Sequence, residues 1–189
     1  MILVVGLGNP GNQYHNTRHN AGFLAIDCLA QALCASGHVC VAQSSAAFKG
    51  ELLKCHDWLL LKPQTFMNCS GESVLAVRNF YKCDVVLVLH DDVDLPLGAL
   101  RFKIGGGSGG HNGLRSLDSA IGNLYHRIRI GIGKSTLFST ANFVLAPFLP
   151  EEIPILMQTL HHATNALQAF LCAGESWEKI ASLYSLSVK

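Results

Sequence analysis

The chain has 189 residues, 49% of them apolar and 14% charged, with 14 Lys and Arg against 13 Asp and Glu. This composition has room for a substantial core and excludes a disordered chain, and no apolar run nears the roughly 20 residues that a bilayer-spanning helix needs. The net charge of +1 hides an asymmetry: residues 95–150 carry Arg101, Lys103, Arg115, Arg127, Arg129 and Lys134 against Asp118 alone, a pattern that suits a solvated surface or a phosphate backbone.

In chain order, ILVVGL is a strand of buried type, and Phe23, Ile26, Leu29, Ala30 and Leu33 then recur at helical period. FKGELLKC and WLLLK predict two strands around a Cys-His-Asp turn. A helix is expected over 70–81, with Ser70 as N-cap and Val74, Leu75, Val77, Phe80 and Tyr81 as its stripe. VVLVLH is a central strand ended by DDVD. ALRFKI predicts a strand, GGGSGG a loop, 111–121 a helix and RIRIGI a further strand. Ile153, Leu156, Met157, Leu160, Leu167 and Leu171 mark a long amphipathic helix that Gly174 ends, and Ser176 caps a short last one. Alternating strands and helices predict a single α/β domain over 1–189: a mixed, largely parallel central sheet with helices on both faces.

The seven cysteines lie scattered in apolar segments without a C-x-x-C pair. They are expected to be reduced, buried thiols rather than disulfides or zinc ligands. The opening MILVVG lacks the basic flank and cleavage site of a secretory signal, so a cytoplasmic protein is expected. No apolar seam is evident, and a monomer is the default.

Three short motifs suggest chemistries that their surroundings do not support. Gly6-Leu7-Gly8-Asn9-Pro10-Gly11 has the G-x-G-x-x-G form, but Pro10 and a polar stretch follow where a dinucleotide site needs a helix N-terminus. Gly106-Gly107-Ser108-Gly109-Gly110 has the form of a hydrolase nucleophile elbow, with Asp118 and then His126, His161 or His162 downstream. Asp118, however, lies on the short helix expected directly after that loop, too close to the serine for a separate triad loop. His15 and His19 stand four apart, as zinc ligands do on a helix, yet no Cys or Glu supplies a third ligand at typical spacing.

The polar residues fall in a more telling pattern. In a parallel α/β sheet, ligands bind beyond the carboxyl ends of the strands. Asn9 follows the first strand, Gln64 to Asn68 follow WLLLK, and His90-Asp91 follow VVLVL. Asn112 lies in the loop after ALRFKI, a strand of uncertain direction. These loops are expected to meet at one crevice.

The blocks VVGLGNPG-x-x-YHNTRHNAGF, KPQTFMNCSGESV, HDDVDLPLG, GGGSGGHNGLRS and HRIRIGIG resemble, in order, the bacterial-type peptidyl-tRNA hydrolase family. The resemblance runs from residue 4 to about 133, with a looser echo in FVLAPF. It implies cleavage of the ester joining a peptide, or an N-blocked aminoacyl group, to the 3′-terminal adenosine of tRNA. It makes His19 the base that activates water, a role suited to a side chain that titrates near neutral pH. Asp91 would orient that imidazole. Asp92 and Asp94 compete for this role by residue type, and the family pattern selects the acid directly after His90. Asn68 and Asn112 would offer amides to the peptide and the oxyanion, and Asn9 would sit near the acyl nitrogen. Tyr14 and Phe66 would line the adenosine and peptide, with Met67 as packing. Arg101, Lys103 and Arg115 would meet acceptor-stem phosphates near the 3′-CCA end, joined by Arg129 or Lys134; for Arg129 a structural ion pair is the competing reading. No cofactor or metal is implied. The stretch KSTLFSTAN departs from the family, being short and poor in charge where a charged flap is expected. A serine esterase acting through Ser108 is the alternative.

Overall fold

Alternation along β1 (Ile2–Gly6) builds the centre of the fold, with Leu3 and Val5 entering one apolar core and Val4 the other. The structure, a computed structural model, describes residues 1–188. Its seven-stranded sheet has the order β2-β3-β4-β1-β5-β7-β6. The remaining strands are β2 (Cys40–Gln43), β3 (Gly50–Cys55), β4 (Trp58–Pro63), β5 (Val85–Asp92), β6 (Leu100–Ile104) and β7 (His126–Gly131). The neighbours β4, β1, β5 and β7 run parallel, and antiparallel pairing joins β2 to β3, β3 to β4 and β6 to β7.

On one face, α1 (Ala21–Ala35) and α5 (Ile153–Leu171) bury Ile26, Leu29, Leu33, Leu160 and Leu167 against Val4, Leu60 and Leu89. α6 (Trp177–Tyr184) adds Trp177 to the same core. On the other face, α2 (Ser70–Tyr81) and α3 (Asn112–Ile121) bury Val74, Val77, Leu114 and Leu117 against Leu3, Val5, Leu59 and Val88. The expected α/β class, mixed sheet and two helical layers are all present. No helix among the described residues is long and apolar enough to cross a membrane.

Several local expectations differ from the structure. Ser70 is the first residue of α2 rather than its cap, which is Cys69; the Ser70 hydroxyl instead donates to the Met67 carbonyl at 2.9 Å. Cys40 and Cys55 form a disulfide, against the expectation of seven thiols. They face each other directly across the antiparallel β2–β3 pair, and β2 is too short and exposed to show an apolar period. Cys34 and Cys172 are exposed rather than buried. A short helix, α4 (Thr140–Leu145), was not expected; Ser139 caps it by accepting from the Asn142 N–H.

The direction of β6 matters most for the site. It is antiparallel to β7, with Ile104 opposite His126, so its end lies at the edge of the sheet away from the other polar loops. The glycine-rich segment carries the chain back. Gly105, Gly106, Gly109 and Gly110 have positive φ, which costs glycine little. The buried Arg127 guanidinium donates to the Gly106 and Gly107 carbonyls at 2.7 and 2.8 Å and fixes the return.

Two glycines of the G-x-G-x-x-G stretch have packing roles. A Cβ on Gly6 would lie 2.2 Å from the Gly22 carbonyl oxygen, and one on Gly8 2.6 Å from the Phe23 ring. They admit α1 to the sheet, and no helix opens there to meet a pyrophosphate.

Candidate active site

His19 and Asp91 come from the ends of different elements and meet in the core of the crevice. His19 lies in a single 3-10 turn, Arg18–Asn20, that runs directly into α1. Arg18, the first residue of this turn, anchors it. Its guanidinium donates to the Pro147 carbonyl and pairs with Glu152, both at 2.6 Å, and packs 4.4 Å from the Phe143 ring centroid. Asp91 projects from the last turn of pleat in β5, fully within the strand rather than after it.

The His19 Nδ1 lies 2.9 Å from both oxygens of Asp91. A carboxylate can only accept, so Nδ1 carries the proton and Nε2 keeps its lone pair. No protein group bonds that Nε2 among the described residues. Asp91 is buried, which alone would raise its carboxyl. His111 and His19 outweigh the burial by charge and hydrogen bond and hold it below the usual carboxylate range.

His111 is the residue that the sequence reading missed. Its Nε2 lies 2.9 Å from Asp91 Oδ1, while its Nδ1 accepts from the Gly113 and Leu114 N–H groups at 3.1 and 3.3 Å. The imidazole is therefore the N-cap of α3, and capping places its one proton on Nε2. Cap rules look for Ser, Thr, Asp or Asn; the only signal was a histidine at the junction of a glycine loop and a helix.

The ligand atoms of His19, Asp91 and His111 lie within 4.8 Å of one another, close enough for a cation. The donor set does not suit one. His111 Nε2 has no lone pair to offer while Nδ1 caps the helix, and zinc sites need at least three protein ligands. His15 is exposed and apart from this group, so the four-residue spacing in HNTRH is incidental.

His90 points to the opposite side of the strand from Asp91. Its Nδ1 donates to the Asp91 carbonyl at 2.8 Å, and its buried Nε2 has no partner. Burial, with the neighbouring His111 adding, pushes its imidazole down to about 3.

A cleft of about 840 Å³ opens over this centre, with His19, Asp91, Ser108, Asn112, Lys103 and Arg129 in its wall. Asn9 borders a smaller hollow of about 230 Å³ beside it, shared with Asn20, Gln64 and Lys62. Asn9 is rigidly held. Its Oδ1 accepts from the Met67 N–H at 2.8 Å, and the Asn20 carboxamide brackets its backbone at 2.8 and 3.0 Å. Met67 is the shared floor, since a Cβ on Gly113 would lie 2.5 Å from its sulfur. This packing brings the Met67–Cys69 turn that carries Asn68 against the start of α3, where Asn112 stands. Both carboxamides are exposed and form no hydrogen bond among the described residues. Phe66 is 61% exposed, and half-buried Tyr14 ends the loop bordering the smaller hollow; neither lines the larger cleft.

The basic residues divide. Lys103 faces the cleft without an acidic partner among the described residues, and Arg115 is exposed on α3. Arg101 holds the chain end, donating to the Leu186 carbonyl and, at 2.8 Å, to Ser187 Oγ. Arg129 pairs with Asp92 at 2.7 Å, the structural role that competed for it, and Lys134 approaches Asp94 at 3.5 Å. Asp92 and Asp94 are thus engaged elsewhere.

The partners of a serine triad are dispersed. Asp118 bonds Tyr125 and Arg127, His162 bonds the Tyr184 carbonyl, and His126 packs edge-on to Trp177. Ser108 Oγ forms no hydrogen bond to an imidazole among the described residues.

Residues 3–188 match the family model described as peptidyl-tRNA hydrolase. The peptidyl-tRNA hydrolase of Wolinella succinogenes is 52% identical over 188 residues, spanning 98% of this chain and 95% of that relative. That of Campylobacter curvus is 54% identical over 171 residues, 90% of each. A crystal structure of peptidyl-tRNA hydrolase from Acinetobacter baumannii superposes with a TM-score of 0.85 at 33% identity, covering 98% of this chain and 96% of that one. The chain belongs to the peptidyl-tRNA hydrolase family.

Proposed function

We propose that the protein hydrolyses the ester between a peptide, or an N-blocked aminoacyl group, and the 3′-terminal adenosine of tRNA, with His19 as general base. The observation that carries this reading is the fixed tautomer of His19. Its Nδ1–H is committed to Asp91 at 2.9 Å, so the unprotonated Nε2 is free to take a proton from water. Water then adds to the ester carbonyl and the proton passes to the ribose oxygen as it leaves. The products are a peptide acid and a tRNA with a free 3′ end. Asp91 keeps the imidazole in register and stabilises the imidazolium formed during attack.

The exposed amides of Asn68 and Asn112 serve the oxyanion and the peptide main chain; losing one such donor can cost roughly 3 kcal/mol of barrier. Asn9, held through its Oδ1, has its NH₂ group left to donate beside the acyl nitrogen to the carbonyl of the blocking group, an acceptor that a free, charged amine lacks. Tyr14 and Phe66 border the peptide and adenosine. Lys103 and Arg115 meet acceptor-stem phosphates, and Arg101 contributes only where its hold on the chain end leaves it free. The protein acts as a single-domain monomer in the cytoplasm.

The test is release of the acyl group from N-acetyl-aminoacyl-tRNA and from unblocked aminoacyl-tRNA, with and without EDTA. Selective, EDTA-resistant cleavage of the blocked substrate is expected. Equal cleavage of both, or loss in EDTA, would overturn the reading.

A further inference from the structure

The segment between β7 and α4 is short and almost without charge, and its tip presents two large apolar side chains to solvent. Leu137 is 87% and Phe138 63% exposed. A hydroxyl turn holds them there, because Ser135 Oγ accepts from the Leu137 and Phe138 N–H groups at 3.0 and 3.1 Å. Both ends of the segment are fixed at the cleft. Lys134 on one side and Thr140 and Ala141 on the other line its wall. α4 is tied to the His19 turn, since the Arg18 N–H donates to the Ala146 carbonyl at 3.1 Å. Phe138 is thus an aromatic face at the rim of a cleft whose wall carries the cationic Lys103.

Unpaired nucleotides suit such a rim. Their phosphates favour the cation, and every base has a π-face that stacks on an aromatic ring whatever its identity. An apolar peptide side chain would be satisfied by Leu137 or Phe138 alike and has no use for the lysine.

We propose that Phe138 is a stacking platform for a base of the single-stranded 3′ end of the tRNA, upstream of the terminal adenosine. The inference rests on the proposed tRNA substrate and adds a contact made by an aromatic ring where a charged flap would use phosphates.

Three variants test it on N-acetyl-aminoacyl-tRNA, with the unsubstituted protein as reference. Phe138→Ala and Phe138→Leu are expected to lower kcat/KM about 5- to 150-fold, the factor implied by losing one base–aromatic stack. Phe138→Trp should hold kcat/KM near the reference, and its new indole fluorescence should be quenched by a CCA oligonucleotide. Variants all equal to an active reference would overturn the inference. So would activity kept by Leu and lost by Trp, which marks an apolar peptide contact. A reference protein that leaves the substrate intact would overturn the proposed function instead, a separate outcome.

Discussion

His111 donates from Nε2 to Asp91 Oδ1 at 2.9 Å, so a single buried carboxylate carries two imidazoles. The two rings, 4.8 Å apart between centroids, have different duties. His19 keeps a free Nε2, whereas both nitrogens of His111 are occupied by the carboxylate and by the start of α3. The second histidine therefore sets the position of Asp91 and cannot itself act as base.

Asp91→Asn keeps the shape of the site but offers an NH₂ group to one imidazole, which then turns its lone pair inward. If this flips the His19 tautomer, kcat for the blocked substrate falls roughly 100- to 10,000-fold with little change in KM. A variant within tenfold of the parent protein would show that the tautomer is set by something else.

His111→Ala removes both a cap and a charge-assisted hydrogen bond. The cap is worth about 1 kcal/mol of stability. Loss of the bond to Asp91, about 1.5–3 kcal/mol, is expected to lower kcat about 10- to 100-fold. His111→Asn restores the cap alone, so its thermal midpoint should recover while kcat does not. Recovery of both would assign His111 a purely structural role.

Stability is expected to fall as pH drops below neutral. Burial holds the folded His90 at about 3, while an unfolded histidine titrates near 6.5. Between these values the unfolded chain binds more protons, so stability rises with pH. The contribution is complete above about 6.5 and is lost toward 3, with a slope of up to about 1.4 kcal/mol per pH unit. His126, also lowered by burial, adds slope of the same sign. Asp91 adds a further loss below the ordinary carboxylate range. Urea midpoints at pH 7, 6 and 5 should decline, and His90→Asn should flatten the decline; a flat profile in the parent protein would refute the assignment.

Gly22→Ala is expected to destabilise the protein by about 1–3 kcal/mol or more, as overpacking does. The added Cβ would lie 2.4 Å from both the Leu7 N and the Leu89 carbonyl oxygen, which are hydrogen-bonded to each other at 3.0 Å. Because α1 follows the His19 turn directly, activity should fall with stability. An unchanged melting temperature would mean that α1 shifts at no cost.

The layers of the fold were legible because strands such as β1 are wholly apolar and α1 and α5 keep a helical period. His19 and Asp91 were legible as a pair through the family resemblance, but not from residue type alone. Alternation along β5 separates Asp91 from its neighbours His90 and Asp92, and residue type alone does not say which side faces His19. His111 and the Cys40–Cys55 bond escaped for related reasons. One is a cap of unusual chemistry, and the other joins a strand with no buried apolar face. The reversal of β6 was also hidden, since the glycine segment returns Asn112 to the crevice from the far edge of the sheet.

Single-turnover hydrolysis of N-acetyl-aminoacyl-tRNA by His19→Ala, paired with its affinity for deacylated tRNA, tests the central claim most directly. The account predicts a loss of roughly 100- to 10,000-fold in the chemical step with tRNA affinity within about twofold, because Lys103 and Arg115 are untouched. Hydrolysis at the parent rate in that variant would contradict it.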